Sequence, residues 1–239
     1  MIGVESSRVM RAAPRKAAER EEASVPWDFS RKYAAVHHSG TISVENARKR
    51  SKIGRVMKVE TFETPQDAAK ALAGEVAELI RTRAAEGKNV VLGLATGATP
   101  LPFYAELVRM HKEEGLSFAN VISFNLDEYS GLDRDHPESY WYFMHTNLFN
   151  HIDIKPENIN LPSGTVKDDE IAAHCAAYEQ KIKDCGGIDL QILGIGRTGH
   201  IGFNEPGSDD TTVTRQVHLD ELTRSDAAPA FGGIENVPT

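Results

Sequence analysis

His200 and Glu205 set one imidazole and one carboxylate close together in a glycine-rich stretch, residue types that can move a proton. They stand five residues apart in QILGIGRTGHIGFNEPG (191–207), among glycines 194, 196, 199 and 202. A histidine titrates near neutral pH and serves as acid or base. An apolar run that ends in glycines lets the backbone approach a ligand closely. The ordinary reading of such a stretch is a tight turn carrying a core histidine, so the pair needs company before it means chemistry. Asp127 and Glu128 offer it, closing a second apolar run, ANVISFNL (119–126). Neighbouring strand residues face opposite ways, so only one of these carboxylates faces a given pocket. Alone, an aspartate after a strand is a turn or helix cap. A third run, NVVLGLA (89–95), ends in Thr96-Gly97-Ala98-Thr99-Pro100 ahead of a helical pattern. The backbone N–H groups and hydroxyls of Thr96 to Thr99 suit a phosphate at a helix N-terminus. A plain strand-to-helix turn with a threonine cap is the alternative.

These residues need a scaffold that brings three strand ends together. In open α/β sheets, ligands bind outside the carboxyl ends of the strands, so three polar strand ends imply one shared site. The body starts with a short strand near 55–62. Thr64 and Pro65 then give a helix cap and first helical position. Ala68, Leu72, Val76, Leu79 and Ile80 form one apolar stripe, and Gly87 ends the helix. A second helix spans 100–114, burying Leu101, Tyr104, Leu107 and Val108 and stopping at Gly115. An aromatic-rich helix covers about 138–149. Asp168 or Asp169 opens another helix, closed by Gly186-Gly187, and strand 188–194 leads into the histidine turn. Residues 213–219 alternate weakly as one more strand, and 221–231 read as a short helix broken by Pro229. Alternating strands and helices predict right-handed parallel crossovers. The expected fold is α/β: a three-layer, Rossmann-like domain with a mostly parallel sheet.

Composition bounds the class. At 239 residues, 40% apolar and 26% charged, the chain has the make-up of a globular domain with room for a core. No apolar run approaches the ~20 residues of a membrane span, and the N-terminus has no apolar signal region. Neither a membrane partner nor a secretory leader is expected. Cys175 and Cys185, ten apart, fit neither a disulfide framework nor metal spacing. Free thiols and no metal are expected, and the adjacent His37-His38 reads as a solvated pair. Charge is uneven: residues 1–58 hold 13 Lys/Arg against 6 Asp/Glu, within a chain of net charge −8. Residues 1–55 read as a basic, polar extension anchored at Val25–Phe29, and 56–239 as the α/β domain. The extension lacks the aromatic platforms or zinc spacing of a nucleic-acid binder, so no nucleic acid is expected.

LGLATGATP, FNLDEYSGLDRDHPESYWYFMH and GIGRTGHIGFNEP, in that order, resemble the glucosamine-6-phosphate deaminase/isomerase family, from about Val59 to about Pro238. The related sugar-lactonase branch shares the glycine–histidine turn but is not expected to carry FNEP. The resemblance implies an enzyme of the hydrolase class. It would convert glucosamine 6-phosphate and water to fructose 6-phosphate and ammonia, without cofactor or metal. His200 is then the ring-opening residue, Asp127 the base that moves a proton between sugar carbons, and Glu205 the carboxylate that orients the histidine. Thr96, Gly97, Ala98 and Thr99 hold the phosphate, and Glu128 is structural. The family commonly has Asn-Asp-Gly-His where this chain has Arg197-Thr198-Gly199-His200. Thr198, in place of an aspartate that helps the histidine, brings a hydroxyl but no charge. Pro229 falls near a phosphate-binding arginine of the family. Ser208 and Arg215 fit a regulatory site of some bacterial members while Val217 replaces its lysine, so that regulation is not expected. The family continues beyond this point with a further strand, a helix and a phosphate-binding lysine, so an incomplete C-terminus is expected. A cytoplasmic homo-oligomer acting on an amino sugar phosphate completes the expectation. The alternatives are a sugar-phosphate-binding module without turnover and a lactone hydrolase on the same fold.

Overall fold

The computed structural model describes residues 59–209 and 211–239, together with the backbone of two short strands, β1 (Ile2–Gly3) and β2 (Ala34–Val36). The Val25–Phe29 anchor and the His37-His38 pair lie outside the described residues. The centre is a five-stranded sheet of β2, β3 (Val90–Leu94), β4 (Val121–Asn125), β6 (Ile159–Asn160) and β7 (Leu190–Gly194). Its order is β2-β7-β3-β4-β6, and every pairing is parallel. A parallel sheet is buried on both faces, and β3 shows why its sequence is continuously apolar. Val90, Leu92 and Leu94 enter one core cluster and Val91 enters another on the opposite face.

Helices α1 (Pro65–Ala85), α2 (Leu101–Glu114) and α3 (Tyr140–Asn147) contribute to the first cluster. Helix α4 (Ile171–Asp184) closes the second, with Tyr178 and Ile182 against Val91 and Phe124. This is the three-layer arrangement expected. Helix α1 begins as its sequence dictates: Thr64 accepts a hydrogen bond from the Asp67 backbone at 3.1 Å, and Pro65 starts the helix. Its buried face is wider than the stripe, adding Ala69, Ala73 and Ala77. In α2 the most buried side chains are Phe103, Tyr104, Leu107 and Met110, while Leu101 and Val108 are half-buried.

Four elements differ from their sequence reading. Residues 59–62 form no strand, and Val59 and Phe62 are exposed. Of 213–219 only Arg215–Gln216 (β8) is strand, pairing antiparallel with β1, which also pairs with Asp127–Glu128 (β5). The Asp168-Asp169 pair lies in a turn, and α4 starts at Ile171. Pro229 does not break α5, which runs unbroken from Glu221 to Phe231. Its missing N–H belongs to the last turn, and the carbonyl four residues earlier is that of Ser225, an exposed residue open to solvent.

Candidate active site

Strand β3 lies between β7 and β4, so the ends of these three strands are neighbours. The three polar strand ends therefore open on one side of the sheet. The sheet connects outward from β3 to β4 on one side and returns through β7 on the other, the crevice where α/β folds bind ligands.

Asp127 and the histidine turn touch directly. A Cβ on Gly202 would sit 3.1 Å from Asp127 Oδ2, and Gly202 has φ +58°. Any larger residue would crowd the carboxyl by a few tenths of an ångström while straining its own backbone. The next residue, Phe203, donates its backbone N–H to Asp127. Tyr129 and Phe203 lie 5.1 Å apart, and Tyr140 stacks on Phe203 at 5.7 Å. Asp127 is 5% exposed. Burial, with a smaller contribution from the neighbouring Glu128 carboxylate, pushes its pKa from 3.8 up to about 8, against the opposing Phe203 hydrogen bond.

Glu128 points elsewhere, as strand alternation requires. Its carboxylate accepts backbone hydrogen bonds from Tyr129 at 2.9 Å, Tyr140 at 2.9 Å and Trp141 at 3.0 Å. It is thus the anion at the N-terminus of α3, where the helix dipole favours negative charge. Ser139 completes that end by accepting from Tyr142 N–H at 3.0 Å. Glu128→Gln turns an acceptor facing Trp141 N–H into a donor. Leaving that part-buried N–H unpaired costs up to about 1–3 kcal/mol, and a lowered urea midpoint should report it. An unchanged midpoint would mean that Glu128 does not anchor α3.

The His200 ring lies over Gly196, where a Cβ would meet the imidazole at 2.1 Å. His200 Nδ1 is 2.7 Å from Thr198 Oγ1 and 3.7 Å from Glu205 Oε2, so the carboxylate is beyond direct hydrogen-bond reach. Thr198 bridges the gap, donating to Glu205 Oε2 at 3.0 Å. A residue that the sequence reading passed over joins them. Thr223 of α5 donates to Glu205 Oε1 and lies 3.2 Å from His200 Nδ1. Arg197 forks onto Asp226 of the same helix, with Nε to Oδ2 at 2.9 Å.

Thr96 to Thr99 form the turn between β3 and α2. Gly97 has φ +97°, and Gly97 and Ala98 are exposed. Among the described residues no backbone carbonyl accepts from the N–H of Gly97, Ala98 or Thr99. The start of α2 has no side-chain cap, and its first turn holds no acidic residue. Pro100 and Pro102 withhold two N–H groups there, which leaves the loop itself as the donor set. The Thr96 hydroxyl hydrogen-bonds Tyr140. Arg215 binds Ser208 at 2.9 Å and Asn204 at 3.0 Å. Cys175 and Cys185 are free thiols, and the described residues hold no cluster of three or more metal-ligating side chains. No helix among them is long and apolar enough to cross a membrane.

The fold and site together define an α/β domain in which Asp127, the His200 turn and the Thr96–Thr99 loop lie at the carboxyl ends of neighbouring parallel strands. The family model described as "Glucosamine-6-phosphate isomerases/6-phosphogluconolactonase" matches residues 63–219. The chain belongs to this family. A glucosamine-6-phosphate deaminase of Thermoanaerobacter sp. (strain X514) is 50% identical over 167 residues, 70% of this chain and 65% of its own length. The chain thus spans just under two-thirds of that relative. A solved structure described as a monomeric glucosamine-6-phosphate deaminase superposes with a TM-score of 0.72 at 43% identity, covering 77% of this chain and 73% of the other. A 6-phosphogluconolactonase from Plasmodium vivax is more distant, with a TM-score of 0.50, 26% identity and coverage of 59% and 48%.

Proposed function

We propose that this chain carries the catalytic apparatus for converting glucosamine 6-phosphate and water to fructose 6-phosphate and ammonia. The observation that carries the reading is the contact between the Asp127 carboxyl and the His200 turn at Gly202 and Phe203. Deamination with isomerisation needs two proton movers. One opens the sugar ring by taking the anomeric proton and protonating the ring oxygen. The other carries a proton from C2 to C1 before the amine leaves. Hydrolysis of a lactone needs one base to activate water and has no use for a second, desolvated carboxyl. In this reading His200 opens the ring, Asp127 shuttles the proton, and Glu205 and Thr198 support the histidine. The N–H groups of the Thr96–Thr99 turn, of which Gly97, Ala98 and Thr99 have no backbone acceptor among the described residues, receive the phosphate. The greater similarity to deaminases than to the lactonase supports the same choice. A cytoplasmic setting accords with it, because a sugar phosphate is too highly charged to cross a bilayer unaided.

The test is to supply glucosamine 6-phosphate and, separately, 6-phosphogluconolactone. Ammonia and fructose 6-phosphate are expected in equal amounts from the first, with the second left unhydrolysed. His200→Gln should lower turnover of the cyclic amino sugar by ~10²–10⁴-fold. Lactone hydrolysis without ammonia release would overturn the reading, as would binding of the amino sugar phosphate without any turnover.

A further inference from the structure

We infer that Thr223 is a positioning residue for His200. With Thr198, it fixes the imidazole in the tautomer that carries its proton on Nδ1 and leaves Nε2 as the base. The inference deepens the reading of His200 as the ring-opening residue and rests on it for its catalytic consequence.

Proton counting carries the argument. An ionised carboxylate only accepts, and a hydroxyl has one proton to give. Thr198 gives its proton to Glu205 Oε2 and Thr223 gives its own to Glu205 Oε1. Both hydroxyl oxygens also face His200 Nδ1, at 2.7 and 3.2 Å. With their protons committed to the carboxylate, both can only accept from the ring. Nδ1 must therefore be N–H, and its proton is shared between two oxygens. A lone pair on Nδ1 would face two oxygen lone pairs instead. Glu205, 3.7 Å from Nδ1, reaches the ring only through the hydroxyls.

The fold holds Thr223 in place for this task. Asp220 caps α5, accepting from Leu222 N–H at 2.8 Å, which makes Thr223 the third helical residue. That position often carries a Glu or Gln that folds back onto the cap's backbone N–H. Here the acid comes from Glu205, which accepts from Asp220 N–H at 3.3 Å, and the freed third position presents a hydroxyl. The dipole at the start of α5 favours the Glu205 charge. Thr223 is 8% exposed, and the Arg197–Asp226 fork ties α5 to the residue beside Thr198.

Nitrogen-15 NMR of the imidazoles tests this, with the His200 signals assigned by their loss in His200→Gln. Wild type and Thr223→Ser are expected in the Nδ1–H tautomer. Thr223→Val and Thr198→Val, near-isosteric without the hydroxyl, should each shift the ring toward Nε2–H, and the double variant should shift it further. Turnover should fall about tenfold in Thr223→Val, as for the loss of one hydrogen bond, with KM little changed, and recover in Thr223→Ser. An Nε2–H wild type, or a tautomer indifferent to both valines, would overturn the inference. A tautomer that responds as expected in a protein that releases no ammonia would leave the relay standing and reject the proposed reaction instead.

Discussion

Replacing Asp127 by Asn is expected to lower turnover by ~10²–10⁴-fold, the usual worth of a positioned acid–base group. The amide keeps the size of the carboxyl and still accepts the Phe203 N–H, so the turn stays docked. It cannot take a proton from C2. The wild-type pH profile sharpens the test. Only ionised Asp127 accepts a proton, and its pKa is raised to about 8, chiefly by burial. The low-pH limb of kcat/KM should therefore rise until about pH 8, well above an ordinary carboxylate limb. Ammonia release measured from pH 5 to 9 checks both statements. A variant that keeps most of its activity, or a limb that levels off near pH 4, would remove Asp127 from the role.

The same substitution should change how stability depends on pH, whatever the chain catalyses. Folded Asp127 holds its proton up to about pH 8, whereas in the unfolded chain it is lost near the ordinary value of 3.8. Between these values the folded state binds more protons than the unfolded state. Stability therefore falls as pH rises across that window, by up to about 1.4 kcal/mol per unit. Asn does not titrate, so the variant lacks this slope. Asp127→Asn should gain on the wild type steadily from pH 4 to pH 8 in urea unfolding. Parallel curves would show that the carboxyl is solvated and that the turn does not cover it.

Much of the frame was legible because its signals are local. Thr64-Pro65 starts a helix by cap chemistry, Gly115 ends one in the left-handed region, and three apolar runs become the three central strands. Their order in the sheet places Thr96, Asp127 and His200 on one side, as parallel crossovers require. What escaped depends on distant partners. Glu128 sits at the start of α3, a relation between residues 12 and 13 apart. Thr223 reaches a carboxylate 18 residues away and a histidine 23 away, and nothing in its own neighbourhood marks it. Glu205 was expected as the carboxylate that orients the histidine; that it stands 3.7 Å from Nδ1 with two threonine hydroxyls between them shows only in the fold. Pro229 was read as a breaker because propensity takes no account of a solvent-facing last turn.

The order of strands in the sheet also bears on how the protein comes together. β3 and β4 pair residues 31 apart, such as Val90 with Val121, whereas β3 and β7 pair Leu92 with Leu190, 98 apart. Closing the longer loop costs more chain entropy, so the β3–β4 pair is favoured to assemble ahead of β7. Until β7 docks, Asp127 has no Gly202–Phe203 cover and titrates as a solvated aspartate. Covering this carboxyl raises its pKa, so docking of β7 takes up a proton, and lowering the pH from about 8 toward 4 should favour that closure.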